Sequence, residues 1–338
     1  MIAHCLYYTG VLSLLGKKRF KDRAVVLMYH RVVTETEKGN CLSQDGIVVT
    51  KASFEKQMSF LRNRFNVLSL NDFIDCIEGR RAFGYKSCLV TFDDGWKDNY
   101  QNAYPLLNEM GIPAVIFITT DFVGTGELFW QEKITELLYR LNGAYKNDRN
   151  ITAGTLQKST DKAIESILRS DRGKLKGEVS AYVSKLKEKK TVEKEDIIRC
   201  LNELAGKSEN RDSTEESFMN WDEIKVMALN GISFGSHGKS HAILTRLGRS
   251  EVEKEALESK TQIEMMLGTP VLSFSYPNGD YSEEVAEIVQ NAGYKVVFST
   301  EGGTHSASDN PYRIKRINIH EDMTGSIPMF MARIVGLW

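Results

Sequence analysis

A length of 338 residues allows one large domain or two ordinary ones, and 41% hydrophobic with 26% charged residues is the composition of a globular protein. The formal net charge of -1 excludes a global electrostatic attraction for nucleic acid or for an acidic polymer, so any recognition by charge must be local. Five cysteines without CxxC spacing indicate neither a disulfide framework nor a cysteine zinc site, which fits a reducing compartment.

The N-terminal segment, residues 1–22, has an apolar run from Ile2 to Leu15. The run is followed by the basic residues Lys17, Lys18, Arg19, Lys21 and Arg23. It is too short for a membrane span, and without a leading basic region or a clear cleavage site it does not resemble a signal peptide. Two interpretations stay open: a helix packed on the domain with a solvated basic end, or an interfacial helix with a basic collar. The chain is therefore expected in the cytoplasm, with peripheral association at the inner face of the membrane as the second interpretation.

Short apolar runs of strand length recur from residue 24 onward, and amphipathic patterns lie between them. The predicted strands are 24–33, 87–95, 112–120, 231–238, 271–279 and 294–300. The predicted helices, several of which end at a glycine, are 53–65, 100–111, 221–231, 251–268 and 282–293. Continuous apolar strands that alternate with amphipathic helices predict an α/β fold, a parallel sheet covered by helices and closed as a distorted (β/α) barrel.

The segment from about Gly124 to Ser217 breaks this alternation. It is rich in Lys, Glu, Arg and Ser and has helical stretches but no convincing strand. Its opening, "GELFWQEKITELLYRL", is aromatic and amphipathic and should be packed, whereas the later charge runs are typical of a solvated face. We therefore predict a main domain over residues 23–338 that is interrupted by a helical insertion at about 124–217.

Two adjacent carboxylates, Asp93 and Asp94, follow the buried strand in "CLVTFDDG". Burying even one unpaired carboxylate costs several kcal/mol, so a cation, a proton or water must compensate. Further along, "FGSHGKSH" carries His237 and His241 four residues apart. On a helix this spacing would put both imidazoles on one face, where they can share a metal ion. Both pairs lie at the ends of predicted strands, where barrel active sites are assembled.

The motifs "TFDDG", "SHGKSH" and "SFSYPNGDYS", in this order, resemble the polysaccharide deacetylases, carbohydrate esterase family 4, with the NodB homology domain. The resemblance implies a metal-dependent N-deacetylase on a distorted (β/α) barrel. It makes Asp93 the general base and gives Asp94, His237 and His241 to the metal. Zinc is the expected ion, although two histidines and a carboxylate also suit cobalt, nickel or manganese.

A deacetylase also needs an acid for the departing amine, because expelling an amide anion is very slow. "VLMYHRV" stands before the aspartate pair and resembles the motif order of the poly-N-acetylglucosamine deacetylases, whose acid histidine lies on the first strand. The resemblance therefore favours His30 as the general acid. His320, in "NIHED", is the alternative.

The third motif departs from the commoner family pattern R-x-P-Y-G. Aligning "SYPNG" puts Ser275 in place of the arginine and Asn278 in place of the tyrosine. The backbone N–H of Asn278 can still stabilise an oxyanion, with Tyr276 beside it as a substrate-binding candidate. The resemblance favours Arg316, in "YRIKRINI", over Arg313 as the arginine that holds the catalytic aspartate. A structural arginine at the barrel rim is the alternative for Arg316.

The predicted activity is metal-dependent hydrolysis of an N-acetyl group on a sugar, with release of acetate. The predicted partner is an N-acetylated glycan, as a polysaccharide, an oligosaccharide or a lipid-linked precursor, and no nucleic acid. The alternative function is a catalytically weak or inactive glycan-binding protein on the same barrel. The complete aspartate and histidine pairs argue against that alternative, and the missing motif arginine leaves it open.

Overall fold

A computed structural model describes residues 2–147, 161–205 and 217–338. The strands are β1 (Ala24–Tyr29), β2 (Arg31–Val33), β3 (Val48–Thr50), β4 (Asn66–Val67), β5 (Ser87–Phe92), β6 (Ala114–Ile118), β7 (Ile232–Ser236), β8 (Ser273–Ser275), β9 (Val296–Phe298), β10 (Thr304–His305) and β11 (Ile317–Asn318). The α-helices are α1 (Ile2–Tyr8), α2 (Val11–Arg19), α3 (Glu35–Lys38), α4 (Lys51–Arg64), α5 (Leu70–Ile77), α6 (Tyr104–Met110), α7 (Trp130–Asn147), α8 (Lys162–Arg169), α9 (Arg172–Leu186), α10 (Thr191–Ala205), α11 (Trp221–Leu229), α12 (Arg249–Leu267), α13 (Glu283–Asn291), α14 (Glu321–Thr324) and α15 (Ile327–Ile334).

The main sheet has the strand order β10-β1-β5-β6-β7-β8-β9, and all neighbours from β1 to β9 are parallel. The segment 311–319 connects the last of these strands to the first. The Ile314 N–H donates to the Val297 carbonyl at 2.8 Å, and the Ile319 N–H donates to the Met28 carbonyl at 3.0 Å. This irregular closure makes the sheet a distorted (β/α) barrel, as predicted.

Both faces of the central strands are buried, which explains their continuous apolar runs. Every residue of β1, β5 and β6 is buried. Alternate residues pack on two sides: Val25 and Leu27 lie with the covering helices, whereas Val26 and Phe117 lie in the barrel interior. The Phe117 ring is 5.1 Å from the ring of Phe298, across the interior. The core therefore fixes the strand ends on which the site is built.

The predicted strand 24–33 is divided in two by the structure. β1 ends at Tyr29, and β2 pairs with β3 in a separate two-stranded sheet. His30 lies between them, at the point where the chain leaves the barrel. The sequence analysis did not predict β3, β4 and β10, because segments of two or three residues carry no periodic pattern.

Among the described residues the chain forms two compact units. The larger contains residues 2–40, 45–125 and 217–338, and the smaller contains 41–44, 126–147 and 161–205. The smaller unit has its own core, in which Leu138 of α7, Ile164 of α8 and Val183 of α9 are buried. It lies within the predicted range 124–217 except for residues 41–44. Whether it is an independent insertion stays a prediction.

The N-terminal segment forms α1 and α2, which pack against the rest of the larger unit. Ala3, Leu12 and Phe20 are buried in its core, and the Arg19 Nε donates to the Ile334 carbonyl at 3.1 Å. Within the residues that the structure describes, no helix is both long and apolar enough to cross a bilayer.

Candidate active site

The carboxyl ends of the parallel strands bring the predicted polar residues to one edge of the barrel. His30 follows β1, Asp93 and Asp94 follow β5, and His237 follows β7. β1 pairs with β5, and β6 with both β5 and β7, all in parallel. The four side chains thus leave the sheet at the edge where barrel enzymes assemble their sites.

Asp93 is buried against the guanidinium of Arg316, which is 0% exposed. Arg316 Nη1 donates to Asp93 Oδ1 and Nη2 to Oδ2, both at 2.7 Å. Arg316 Nε also donates to the Ser299 carbonyl at 2.8 Å, which fixes the plane of the guanidinium. Burial by itself raises the pKa of Asp93, but the charges of Arg316 and His237 outweigh it and hold that pKa below its ordinary value. Asp93 is therefore an ionised carboxylate in a fixed orientation.

Ser275, which stands at the position of the family arginine, contacts both members of this pair. Its Oγ accepts from Arg316 Nη2 at 2.9 Å and donates to Asp93 Oδ2 at 3.3 Å. A small side chain here leaves room for a guanidinium that arrives from the segment closing the barrel. The structure thus brings Arg316 to Asp93, whereas Arg313 lies at the surface and pairs with Glu301.

Asp94, His237 and His241 form a cluster in which one ligand atom from each lies within 4.8 Å of the others. Asp94 Oδ1 is 3.4 Å from His237 Nε2 and 3.3 Å from His241 Nε2. Burial raises the pKa of Asp94, but the two imidazoles beside it outweigh burial and hold that pKa well below its ordinary value. One carboxylate and two imidazoles are a donor set that suits zinc and similar divalent ions.

The orientation of His237 also fits a metal ligand. Its Nδ1 lies 2.8 Å from the Ser275 carbonyl. With the proton on Nδ1 donated to that carbonyl, the lone pair of Nε2 faces Asp94 and is available to a cation. Ser275 therefore connects the two halves of the site: its side chain contacts the Asp93–Arg316 pair, and its carbonyl orients His237.

The helical geometry assumed for His237 and His241 is wrong. β7 ends at Ser236, and residues 237–243 contain no helix. Gly238, with φ 79°, and His241, with φ 60°, turn the loop so that the two imidazole centroids lie 5.1 Å apart. The four-residue spacing thus brings the rings together through a loop and not through a helix face.

Backbone strain is concentrated at this edge of the barrel. Asp94 (φ 78°), His241 (φ 60°) and Asn278 (φ 60°) all have left-handed backbone conformations. Residues other than glycine rarely adopt these angles, and strain of this kind clusters at functional sites. Three of the predicted site residues are therefore held in conformations that the surrounding fold must enforce.

Trp96 is a site residue that the sequence analysis missed. Its Nε1 donates to Asp94 Oδ2 at 2.8 Å, the oxygen that does not face the histidines. The indole is 1% exposed and stacks on Phe218 at 4.4 Å between ring centroids. The Arg31 guanidinium lies 4.2 Å from the centroid of the indole ring. A signal was available, because Trp96 directly follows the first motif, two residues after Asp94.

His30 lies close enough to the aspartate pair for the charges of Asp94 and Asp93 to act on its imidazole. Its Nδ1 is buried and has no hydrogen-bond partner among the described residues. Burial lowers the pKa of His30, while the charges of Asp94 and Asp93 oppose that change. The backbone is held by Asn99, whose Nδ2 donates to the His30 carbonyl at 2.7 Å. An imidazole nitrogen beside two carboxylates can hold or release a proton there.

His320 follows β11, which pairs with β1, so its backbone also reaches the carboxyl edge. The charges that act on its imidazole are those of Asp322, Arg333 and Asp45, and burial lowers its pKa. None of these three charged residues belongs to the aspartate pair or to the histidine cluster. The surroundings of the two histidines therefore favour His30 as the acid, although the assignment stays a prediction.

Asn278 and Tyr276 differ in exposure. Asn278 is exposed in the turn that follows β8, and its Nδ2 donates to Asp280 Oδ2 at 3.0 Å. Tyr276 is 0% exposed, and its hydroxyl donates to the Tyr312 carbonyl at 3.2 Å. The Tyr276 ring packs against the rings of Phe274 and Tyr281, so its side chain is not open to a substrate in this structure. The substrate-binding role of Tyr276 stays a prediction.

Comparisons with known proteins agree with this geometry. The polysaccharide deacetylase family model matches residues 80–142 and 196–297. The Bacillus subtilis protein YxkH is 24% identical over 302 residues, which cover 89% of this chain and 73% of that protein. The poly-beta-1,6-N-acetyl-D-glucosamine N-deacetylase of Staphylococcus epidermidis is 26% identical over 257 residues, which cover 71% of this chain and 82% of that enzyme.

Solved structures share the fold. The Streptococcus pyogenes deacetylase PplD, solved in complex with acetate, has a TM-score of 0.59 at 17% identity and covers 93% of this chain and 98% of its own. IcaB from Ammonifex degensii has a TM-score of 0.57 at 18% identity, with the same coverage of 93% and 98%. Both support a distorted (β/α) barrel of the NodB type for this chain.

Proposed function

Because the chain belongs to the polysaccharide deacetylase family, we propose that it hydrolyses the N-acetyl group of a sugar and that this reaction depends on a divalent metal ion. The observation that carries the proposal is the buried Asp94 carboxylate beside two imidazole nitrogens, next to a second carboxylate held by an arginine. Asp94, His237 and His241 would hold the ion. When bound, a divalent ion supplies Lewis-acid activation of water and of the acetyl carbonyl.

Three further residues would transfer protons or stabilise charge in the reaction. Asp93, ionised and fixed by Arg316, accepts the proton of the attacking water. The backbone N–H of Asn278 donates to the carbonyl oxygen as negative charge develops on it. His30 gives a proton to the nitrogen of the departing amine, because the amide anion is too poor a leaving group to depart unprotonated.

The proposed substrate is an N-acetylated sugar within a glycan. The relative named as a poly-beta-1,6-N-acetyl-D-glucosamine N-deacetylase supports an N-acetylglucosamine polymer as the first substrate to test. An oligosaccharide or a lipid-linked glycan would present the same acetamido group. Zinc is the first ion to test, followed by cobalt, nickel and manganese.

The alternative function is a glycan-binding protein with little or no turnover. The absence of the motif arginine gave that alternative its support. Arg316 now supplies a guanidinium to Asp93 from another segment, with both Nη···Oδ distances at 2.7 Å. This geometry favours the enzyme over the binding protein.

Metal content and acetate release from N-acetylglucosamine oligomers test the proposal together. Asp93→Asn should keep the metal and lose turnover by roughly 10²-fold or more, since it removes only the base. Asp94→Asn, His237→Ala and His241→Ala should each lose metal and turnover together, because a three-ligand site tolerates the loss of a ligand poorly. Asp222→Asn, a change at an exposed side chain, is the matched control. Full metal occupancy in the histidine variants would contradict the ligand assignment, and exchanged behaviour of the aspartate variants would reverse their roles.

A further inference from the structure

The helix α2 has apolar residues on two of its faces. Leu12 and Gly16 are buried against the rest of the larger unit. Val11, Leu14 and Leu15, at spacings of three and four residues, share the outward face and are 37%, 65% and 45% exposed. A helix packed on a core normally carries polar residues on its outer face. The outward face of α2 therefore carries exposed apolar side chains where a surface helix normally carries polar ones.

Neighbouring side chains extend this face. Ile2 and Tyr8 of α1 are 71% and 79% exposed. Gly336 lies against the Arg19 guanidinium at the end of α2, and the residues that follow it are 40% exposed at Leu337 and 39% at Trp338. We call the outward side chains of these segments the apolar patch. The apolar patch consists of Ile2, Tyr8, Val11, Leu14, Leu15, Leu337 and Trp338. Exposed apolar side chains grouped on neighbouring segments are a feature of interaction sites.

The segment that carries most of the apolar patch is basic. Residues 2–21 contain no Asp or Glu and four basic residues, Lys17, Lys18, Arg19 and Lys21, and Asp22 is the first acidic residue of the chain, whose net charge is -1. Lys17, Lys18 and Lys21 are exposed. Lys18 lies on the same helical face as Leu14 and Leu15, one turn further along. The surface that offers apolar side chains therefore offers positive charge at its edge.

A cavity of about 240 Å³ beside α1 is likewise lined by apolar and basic side chains. Tyr7, Phe60 and Met331 line its apolar part, and Arg64 and Lys86 supply two cations. No carboxylate is among the described residues that line it. Two cations without a lining acid extend the positive field beyond the end of α2.

We propose that the apolar patch docks on the surface of an anionic lipid bilayer, with the apolar side chains at the acyl boundary and the lysines at the headgroups. Aliphatic side chains with Tyr and Trp, flanked by lysines, are the composition of interfacial segments. A second copy of the chain fits less well, since a symmetric dimer through this patch would bring the basic residues of both copies together. The proposal goes beyond the proposed function, because docking requires no catalysis.

Co-sedimentation with vesicles tests the docking. The full chain should bind vesicles of phosphatidylglycerol mixed with phosphatidylcholine, and binding should weaken on phosphatidylcholine alone and at high salt. Leu14→Ser with Leu15→Ser should reduce the partition coefficient by about tenfold or more, because both side chains lose their apolar contact with lipid. Lys17→Gln with Lys18→Gln should reduce it by roughly fivefold per lysine.

Matched controls separate docking from general effects. Leu229→Ser with Met265→Ser removes two side chains that are 87% and 73% exposed outside the apolar patch. Lys254→Gln with Lys295→Gln removes the same charge from exposed positions elsewhere. Both controls should bind vesicles as the unaltered chain does. Circular dichroism and acetate release should be unchanged in all four variants, since none alters the active site.

Two outcomes would overturn the proposal. Equal losses in the patch variants and their controls would mean that the apolar patch has no part in binding. A dimer by light scattering that Leu14→Ser with Leu15→Ser converts to a monomer, without vesicle binding by the unaltered chain, would assign the patch to a second copy. If the leucine variant fails to fold, the lysine variant and the salt dependence of the unaltered chain still decide.

Discussion

Arg316 forms hydrogen bonds in the site beyond its ion pair with Asp93. Its guanidinium donates to both oxygens of Asp93, to the Ser275 hydroxyl and to the Ser299 carbonyl. A planar fork can satisfy two carboxylate oxygens at once, which a lysine ammonium cannot. The orientation of the Asp93 carboxylate therefore depends on the shape of the Arg316 side chain as well as on its charge.

Replacing Arg316 by Lys should separate these two contributions. The Arg316→Lys variant keeps a positive charge near Asp93 but loses the bidentate geometry, so turnover should fall by roughly 10²-fold while metal binding is retained. Steady-state acetate release and metal content after purification measure the two effects. Arg313→Lys, at the exposed pair with Glu301, is the control and should retain turnover. Equal activity of the two variants would show that Arg316 does not orient the base.

The hydrogen bond from Trp96 to Asp94 leads to a second prediction. Trp96→Phe keeps an aromatic ring against Phe218 but removes the donor to Asp94 Oδ2. Partners that orient a metal ligand are typically worth 10–100-fold in affinity, so the metal dissociation constant should rise by about that factor. Chelator competition measures it, with Trp221→Phe as the control. An unchanged dissociation constant in Trp96→Phe would remove the positioning role.

At this scale the sequence indicated the predicted site residues but not all of the side chains that support them. Asp93, Asp94, His237 and His241 stand in short motifs, so their types and order were enough to predict them. Arg316, 223 positions from Asp93, was favoured only through the family resemblance, with a structural arginine as the alternative. The contacts of Ser275 with Asp93 and Arg316 were not predicted, because a single sequence carries no signal for contacts between residues so far apart.

At the scale of elements, β10 has an unusual interior residue. His305 pairs with Ala24 at the start of β1 and is 0% exposed. Neither of its ring nitrogens has a hydrogen-bond partner among the described residues. Burial lowers the pKa of His305 to about 4, with Asp309 opposing that shift. The imidazole is therefore neutral inside the fold at neutral pH.

Stability should consequently decrease as the pH falls. In the unfolded chain the pKa of His305 is near 6.5. Between about pH 6.5 and 4 the unfolded state therefore binds more protons than the folded state. The contribution of the neutral His305 ring to the free energy of unfolding is complete above pH 6.5 and is lost as the pH falls toward 4. The free energy of unfolding should drop by about 2 kcal/mol between pH 7 and pH 5 from His305 alone. Urea denaturation at the two pH values measures it.

His305→Leu supplies the control for this titration. Leucine fits an apolar interior and does not ionise, so the variant should lose less stability over the same pH interval. The difference between the two slopes isolates the contribution of His305 from those of the other titrating groups. Parallel slopes would place the pH dependence elsewhere in the molecule.

The elements that could be predicted are those with enough residues to show a period. The apolar runs that form β5, β6 and β7 were predicted, and so were the amphipathic patterns of α4, α11 and α12. The two-residue strands β4 and β10 were missed because backbone hydrogen bonds to neighbouring strands define them, not side-chain patterns. The loop 237–243 was misjudged for a related reason, since a four-residue spacing fits both a helix and a turn.

At the scale of the molecule, the smaller unit offers a test of modular organisation. One way to shorten the predicted insertion is to remove only its charged part, from about Asn147 to Ser213. The structure argues for a different cut, because α7 shares its buried side chains with the helices that follow it and would be left with an exposed apolar face. The Gly124 N–H donates to the Met219 carbonyl at 2.9 Å, so the two ends of the larger unit already meet.

Excising residues 126–216 and joining Thr125 to Ser217 should therefore leave a folded larger unit. The variant should bind metal with unchanged stoichiometry, because Asp94, His237 and His241 all belong to that unit. Its range of glycan substrates should change, since loops at a barrel edge adjust specificity. Circular dichroism, metal analysis and acetate release from a panel of glycans check these results. Failure to fold would show that the smaller unit belongs to the core, and unchanged specificity would leave it without a role in recognition.

The segment 311–319 that closes the barrel also delivers Arg316 to Asp93. During synthesis on the ribosome, Asp93 emerges more than two hundred residues before its partner. Until then, the carboxylate at the end of β5 has no guanidinium to offset its burial. Asp93 cannot take its final orientation before Arg316 arrives, so the proposed activity requires the last strand of the chain. A ribosome stalled before that strand would hold an incomplete barrel that lacks this activity.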